Sequence, residues 1–481
     1  MKKYKSIVIL LAVLLVLLAV YFFASPMWSE DAPEDTTAEQ TYTVAVIDHS
    51  LLVGFELTQG EEKLSFSLNG DATEWDWSED AEVPLDNVVF ATIVTAFNEA
   101  KSKYKLESVS TDQLADYGLD TPATTVKFIF SDGAAKEFFI GNLNSFNGYY
   151  YISEASAPNT VYMIDASVKT SLELDIHDFV LEETAPAITE AKIISVSYTN
   201  ADEYRTFVYY PSGNSSDYTD RYEWYYTAER PEQSYSPPAF PISTDLGDSL
   251  GYLVTGLTFD ECVGLDCTAE EFGFSDSRKI IIRYNVDEDA SGVLQKKEYV
   301  IYLGAQREDG SIYAHTDTSK LVYTLSSSDE WLELIDSDAA KLYPDEVWLP
   351  NYELVESMTF AAGGNSITVN VKNTDGTASF SSESSDDADA ISALVKALED
   401  MTVTSNTAYL DTPTTSDEKS EIFSVKVKLT SIESSEAEIA VKAYSDAYCL
   451  VDFDNMHGRL VTLEDAEALV EMIRSLCTKA V

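Results

Sequence analysis

One order of elements recurs three times along the chain, and that recurrence limits the fold more than any single motif. Each copy opens with two strand-like runs and an amphipathic helix. A short turn motif follows, then four strand-like runs and a closing helix. In the first copy, LDNVVFATIVTAF spaces Leu85, Val88, Val89, Ile93, Val94 and Phe97 by three and four, which predicts one helix face. In the second, TDLGDSLGYLVTGL does the same with Leu246, Leu250, Leu253, Val254 and Leu257; in the third, ADAISALVKALEDM takes that place.

The turn motif is YGLDTP in the first copy, residues 117–122, and Phe272-Gly-Phe-Ser275 in the second. In the third it is Tyr409-Leu-Asp-Thr-Pro413. Paired runs follow each time: TTVKFIF with KEFFIG, KIIIRYNV with KEYVIYLG, EIFSVKVKL with EIAVKAY. The motif therefore reads as a joint between a helix and a hairpin. Glycine gives the backbone freedom there, and proline biases the residue before it toward extended geometry. Trp224 echoes Trp75 ahead of the helix, and Phe380 stands in that place in the third copy.

The period is roughly 140–160 residues, the size of a small domain and too long for a solenoid. Strands joined by short turns predict antiparallel sheets, with helices covering one face. The expected class is α+β, in three tandem repeats at 42–185, 186–345 and 346–481.

The residues ahead of the repeats differ. Residues 7–24 carry no charge, follow Lys2, Lys3 and Lys5, and precede Glu30, Asp31, Glu34 and Asp35. About 18–20 apolar residues span a bilayer. The flanking lysines predict a cytoplasmic N-terminus and extracytoplasmic bulk, with residues 1–24 as an uncleaved single-pass anchor. A cleaved signal peptide is the competing reading. Residues 25–41 are acidic and proline-containing and read as a linker.

Acidic side chains number 83 against 31 Lys plus Arg, for a net charge of −52. So strong a polyanion repels nucleic acid and anionic lipid; it reads as a solubility surface, with recognition of a cationic partner the alternative. The four cysteines are Cys262, Cys267, Cys449 and Cys477. Cys262 and Cys267 are close enough in sequence for a small disulfide loop outside the cell, while buried thiols are the alternative. The four histidines are scattered, and no zinc site is expected.

Asp287, Asp289, Ser291 and Glu298 fit the ligand positions of an EF-hand calcium loop. Such a loop needs helices on both sides, and here strand-like runs flank it, so a hairpin loop is the favoured reading. No Gly-x-Ser-x-Gly, P-loop or dinucleotide fingerprint occurs, and no catalytic or cofactor-binding residue is assigned. The Tyr-, Ser- and Pro-rich segment 209–240 is the most distinctive chemically. Its Trp224, Tyr225 and Tyr226 are candidate ligand contacts that would stack on sugar rings or a proline-rich partner; cross-strand packing is the alternative.

Tyr117, Gly118, Leu119, Asp120, Pro122, Ile140, Gly141, Tyr150, Val161 and Tyr162 carry a resemblance. With the anchor and linker they resemble a bacterial family of membrane-anchored extracytoplasmic domains of unknown function. Its members are commonly encoded beside ABC transporters of the gliding-motility type. The likeness is best over 42–185, weaker in the second repeat and weakest in the third. It implies a role beside an ABC-type permease, and it carries over no catalytic residues. The expected function is thus a non-enzymatic accessory or binding component of a transport system. A wall- or polysaccharide-binding envelope protein is the alternative, and a hydrolase with an unrecognised carboxylate pair the least favoured.

Overall fold

The computed structural model describes residues 41–70, 73–201, 203–210, 222–227, 240–286, 294–336, 339–406, 420–430, 436–453 and 456–478. Among these no helix is long and apolar enough to cross a membrane. The run 7–24, the linker before residue 41 and the motif at Tyr409 lie outside them. The chain divides into two compact units, Met1–Leu181 and Glu182–Val481.

The first unit holds an eight-stranded sheet. Across it run Trp75–Trp77, Glu62–Leu68, Leu52–Gln59, Thr124–Phe130, Ala135–Asn144, Tyr149–Glu154, Val161–Ile164 and Lys105–Leu106. The second unit holds two sheets. One runs Phe240–Pro241, Trp224–Thr227, Glu203–Tyr209, Ile193–Asn200, Lys279–Val286, Gln295–Gln306, Ile312–Thr316, Val322–Leu325 and Phe259–Gly264. The other runs Thr377–Ser381, Asn365–Thr374, Val355–Ala362, Glu421–Leu429, Glu436–Ala443, Tyr448–Phe453, Met456–Thr462 and Ser405–Asn406.

Apart from the extra edge strand Phe240–Pro241, all three follow one path. Numbered along the chain, the strands lie in the order third, second, first, fifth, sixth, seventh, eighth, fourth. Every pairing is antiparallel, including that between first and fifth strands: Phe55 faces Phe128, Ser197 faces Ile281, and Phe360 faces Val425. The class is α+β, dominated by antiparallel sheet. The first unit also pairs Tyr42–Thr43 with Lys101–Ser102 in a separate two-stranded sheet. The shared eight-strand path holds two strands beyond the expected order. One is a short third strand before the helix, carrying Trp75 in the first copy and Trp224 in the second; the other is a short strand after the helix that closes the far edge.

Alternation explains the faces. Thr124, Val126, Phe128 and Phe130 are buried and the residues between them half-buried. Helix α1 (Asn87–Glu99) lies over this sheet, capped by the Asp86 side chain, which accepts from the Val88 amide. Its buried stripe is Phe90, Ile93, Val94 and Phe97. Val88, expected on that face, is 65% exposed, because about 3.6 residues per turn place it opposite the stripe of Phe90, Ile93, Val94 and Phe97. Phe90 stacks on Trp75 at 4.4 Å, and Phe66 meets Phe179 at 4.6 Å. Each such buried ring contributes about 2–3 kcal/mol.

In the third sheet, Met358, Phe360, Val425 and Ile439 belong to one core with Leu394 and Leu398 of α2 (Ala388–Glu399) and Leu469 and Ile473 of α3 (Leu463–Thr478). Arg459, fully buried on Met456–Thr462, donates to the carbonyls of Val347 (3.3 Å), Pro344 (3.1 Å) and Glu346. That segment joins the second and third sheets. Burial pulls the guanidinium down to about 10, so it stays charged at neutral pH and clamps the connection through carbonyls.

Candidate binding cleft

The joint begins as a helix terminus. In the first unit Ser110 and Gln113 form a capping box for Thr111–Asp116. Gly118 takes φ 71°, and the Leu119 amide returns to the Leu114 carbonyl at 2.8 Å. This is a glycine-terminated helix end. The Tyr117 carbonyl then accepts from the Asn142 amide at 2.7 Å, which docks the joint on Ala135–Asn144. A Cβ on Gly141 would lie 2.1 Å from that carbonyl, so only glycine allows the approach. The Tyr117 ring stacks on Tyr151 at 4.3 Å, and Leu119 closes a small core with Val109 and Val161. Asp120 accepts from the Thr121 amide at 2.9 Å.

The second joint repeats the left-handed glycine and the close carbonyl approach, after a three-residue 3-10 turn. Gly273 takes φ 65° after Glu270–Phe272, and a Cβ on Gly304 would lie 2.3 Å from the Phe272 carbonyl. Phe272 meets Tyr313 edge-on at 5.1 Å, where the first joint has Tyr117 on Tyr151. The side chains around it differ. Phe274 replaces Leu119, and the cross-strand pair Tyr302 and His315 replaces Phe139 and Ser153.

The result is a cleft of about 480 Å³, lined by Cys267, Glu270, Phe274, Asp276, Tyr302 and His315 among others. His315 stacks on Tyr302 at 4.7 Å with the planes 8° apart, and meets Phe274 edge-on at 4.6 Å. All three rings are half-buried. The His315 Nδ1 lies 2.8 Å from the Thr316 carbonyl; donating there leaves Nε2 as the acceptor of the neutral ring. Lys279 Nζ lies 5.3 Å from the Tyr302 ring centre. Glu270 and Asp276 are exposed at the rim. Burial and then the Asp266 charge push the Cys267 thiol up, which leaves it a weak nucleophile at neutral pH. A planar aromatic floor with carboxylates beside it suits a ligand carrying a flat or cationic group.

The other candidate residues sit elsewhere. Trp224, Tyr225 and Tyr226 are buried, not presented to a ligand. Their rings pack on Tyr209 (4.8 Å), Tyr210 (5.4 Å), and Phe207 (5.6 Å) with Phe240 (5.1 Å), respectively. They lie on an inner strand, between Glu203–Tyr209 and Phe240–Pro241, so both edges are paired. Cys262 and Cys267 are thiols, with no disulfide between them; Cys262 is buried with Sγ 3.6 Å from the Gly264 carbonyl. Asp287, Asp289 and Ser291 lie outside the described residues. Glu298 sits on Gln295–Gln306, paired with Lys279–Val286, and accepts from Arg283 Nε at 2.7 Å. Strands, not helices, therefore flank that loop. Among the described residues no group of three His, Cys, Asp or Glu is placed to hold a metal ion.

No curated protein and no solved structure matches the chain. One family model does, over residues 75–234, a third of the chain. The match runs from the Trp75 strand, through the first joint, past the Trp224 strand. Over that stretch the chain carries a domain of unknown function, DUF4340.

Proposed function

We propose that this protein is a non-enzymatic binding or accessory component of an ABC-type transport system. In this reading residues 7–24 anchor it in the membrane and both folded units are extracytoplasmic. The observation that carries the binding reading is the second joint. There a backbone arrangement built twice from the same glycines gains an aromatic floor of Phe274, Tyr302 and His315 beside Glu270 and Asp276. A repeated scaffold whose side chains diverge at one copy is how a site is grafted onto a fold. The transporter part draws on the likeness around residues 117–122 alone.

Crosslinking in native membranes followed by pull-down is expected to recover a multi-spanning permease. Recovery of this protein alone would remove the transporter part. A second reading is envelope-glycan binding, favoured by the same stacked rings, since sugar faces stack on such platforms. Glycan pull-down lost in Tyr302→Ala but kept in Trp224→Phe would support it. Glycan binding unaffected by Tyr302→Ala would exclude this cleft.

A further inference from the structure

A second concavity lies in the same unit, away from the joint. Helix α4 (Thr244–Thr255) and helix α5 (Ser328–Asp336) pack side by side over the second sheet. Between them runs a groove of about 530 Å³. Leu246, Leu253 and Leu334 give it an apolar lining, and Tyr252 stands beside it 75% exposed. Asp248, Glu330 and Glu333 form the rim; all three are exposed, and among the described residues none takes part in an ion pair.

The third sheet shows what a fuller helix layer looks like. There the closing helix has sixteen residues, about 24 Å of rise, and buries Ala466, Leu469, Val470, Ile473 and Leu476. Helix α5 has nine residues, about 13 Å. The first sheet's closing helix, Ala166–Thr170, has only five residues, so this cover varies in length among the copies; on the second sheet the groove lies open beside it.

We infer that this groove docks a cationic amphipathic helix of a partner protein. An apolar stripe on the partner would seat against Leu246 and Tyr252, over the buried Leu253 and Leu334, and its Lys or Arg side chains would meet Asp248, Glu330 and Glu333. Helix-in-groove recognition uses this combination of apolar contact and charged rim. Charge argues against the other occupants. A second copy, itself at −52, would bring acid against acid, and an anionic lipid surface would be repelled. The groove's occupancy is independent of the transporter reading.

The test titrates the full chain, in detergent, into a labelled Leu/Lys peptide of about 15 residues patterned for one apolar helix face. Saturable binding is expected. Glu330→Gln with Glu333→Gln is expected to weaken it about tenfold. That change removes two of 83 acidic side chains, so diffuse attraction to the polyanion persists. Ser249→Trp, from an exposed helix position, fills the groove and is expected to weaken binding at least as much. Circular dichroism checks that both variants fold; Tyr252→Ala, at a largely exposed site, serves if one does not. Equal affinity in wild type and variants, or for a shuffled peptide of the same composition, would overturn the assignment. So would concentration-dependent self-association abolished by Ser249→Trp, which would give the groove to a second copy.

Discussion

At the first joint Leu119 is buried and the rings of Tyr117 and Tyr151 stack over it; at the second, Phe274 in the same place stands half-exposed beside Tyr302 and His315. The glycines, the left-handed turn and the carbonyl docked on a strand glycine are common to both. The difference separates what the fold requires from what a site can use. The glycines repeat because at both joints the turn's carbonyl passes too close to a strand for a Cβ there. Side chains on the strand face are under no such constraint.

The largest expected effect tests the shared part. Gly141→Ala and Gly304→Ala each force a methyl group against a backbone carbonyl that cannot move aside. Each is expected to cost about 3 kcal/mol in urea unfolding of the full chain. If either is tolerated, the two joints do not share one packing rule.

The next test separates them. Leu119→Ala empties a buried position and is expected to cost about 3 kcal/mol. Phe274→Ala removes a half-exposed ring and is expected to cost about 1 kcal/mol. Equal losses would make the second joint core rather than cleft. A smaller contrast lies in the turn. Alanine at either φ-positive glycine costs about 1–2 kcal/mol. At Gly118 it also meets the Asn142 side chain, whose Nδ2 donates to the Asp116 carbonyl at 3.2 Å. At Gly273 the nearest atom is Ala305 Cβ at 3.3 Å. Gly118→Ala is therefore expected to be worse by about 1 kcal/mol, the cost of the displaced bond, in thermal unfolding.

How much of this the sequence discloses follows from range. The helices and long strands are legible because each carries its own period, as in Thr124–Phe130. The threefold order is legible because turn motifs punctuate it. Strands of two or three residues, such as Lys105–Leu106 and Trp75–Trp77, are too short to show a period and were not expected. The need for glycine at 141 is invisible locally, since the carbonyl it avoids is at Tyr117. Trp224, Tyr225 and Tyr226 look alike whether they face a sugar or a core, and only the rings that the fold brings against them, from Phe207, Tyr209, Tyr210 and Phe240, decide it. The Tyr302–His315 stack likewise exists only through the cross-strand register.

The smallest effect lies on the same strand pair as the second joint. Tyr299 donates to Glu183 Oε1 at 3.4 Å, where the equivalent first-sheet position is Lys136, whose Nζ donates to the Val46 carbonyl. Burial raises the Glu183 carboxyl and the Asp317 charge adds to it, against hydrogen bonds from Tyr299 and Thr316. A carboxyl raised in the folded state binds its proton more tightly there than in the unfolded chain. Its contribution to stability is therefore fully present below the unfolded value, about 4.3, and is lost as pH rises through the higher folded value. Glu183 is only half-buried, so solvent screening holds the effect to a few tenths of a kcal/mol. Glu183→Gln is expected to flatten the pH dependence of the second unit above about pH 4 and to leave that of the first unchanged. Hydrogen exchange resolved by unit and followed across pH measures both; a variant that keeps the wild-type slope would place the titration on another group.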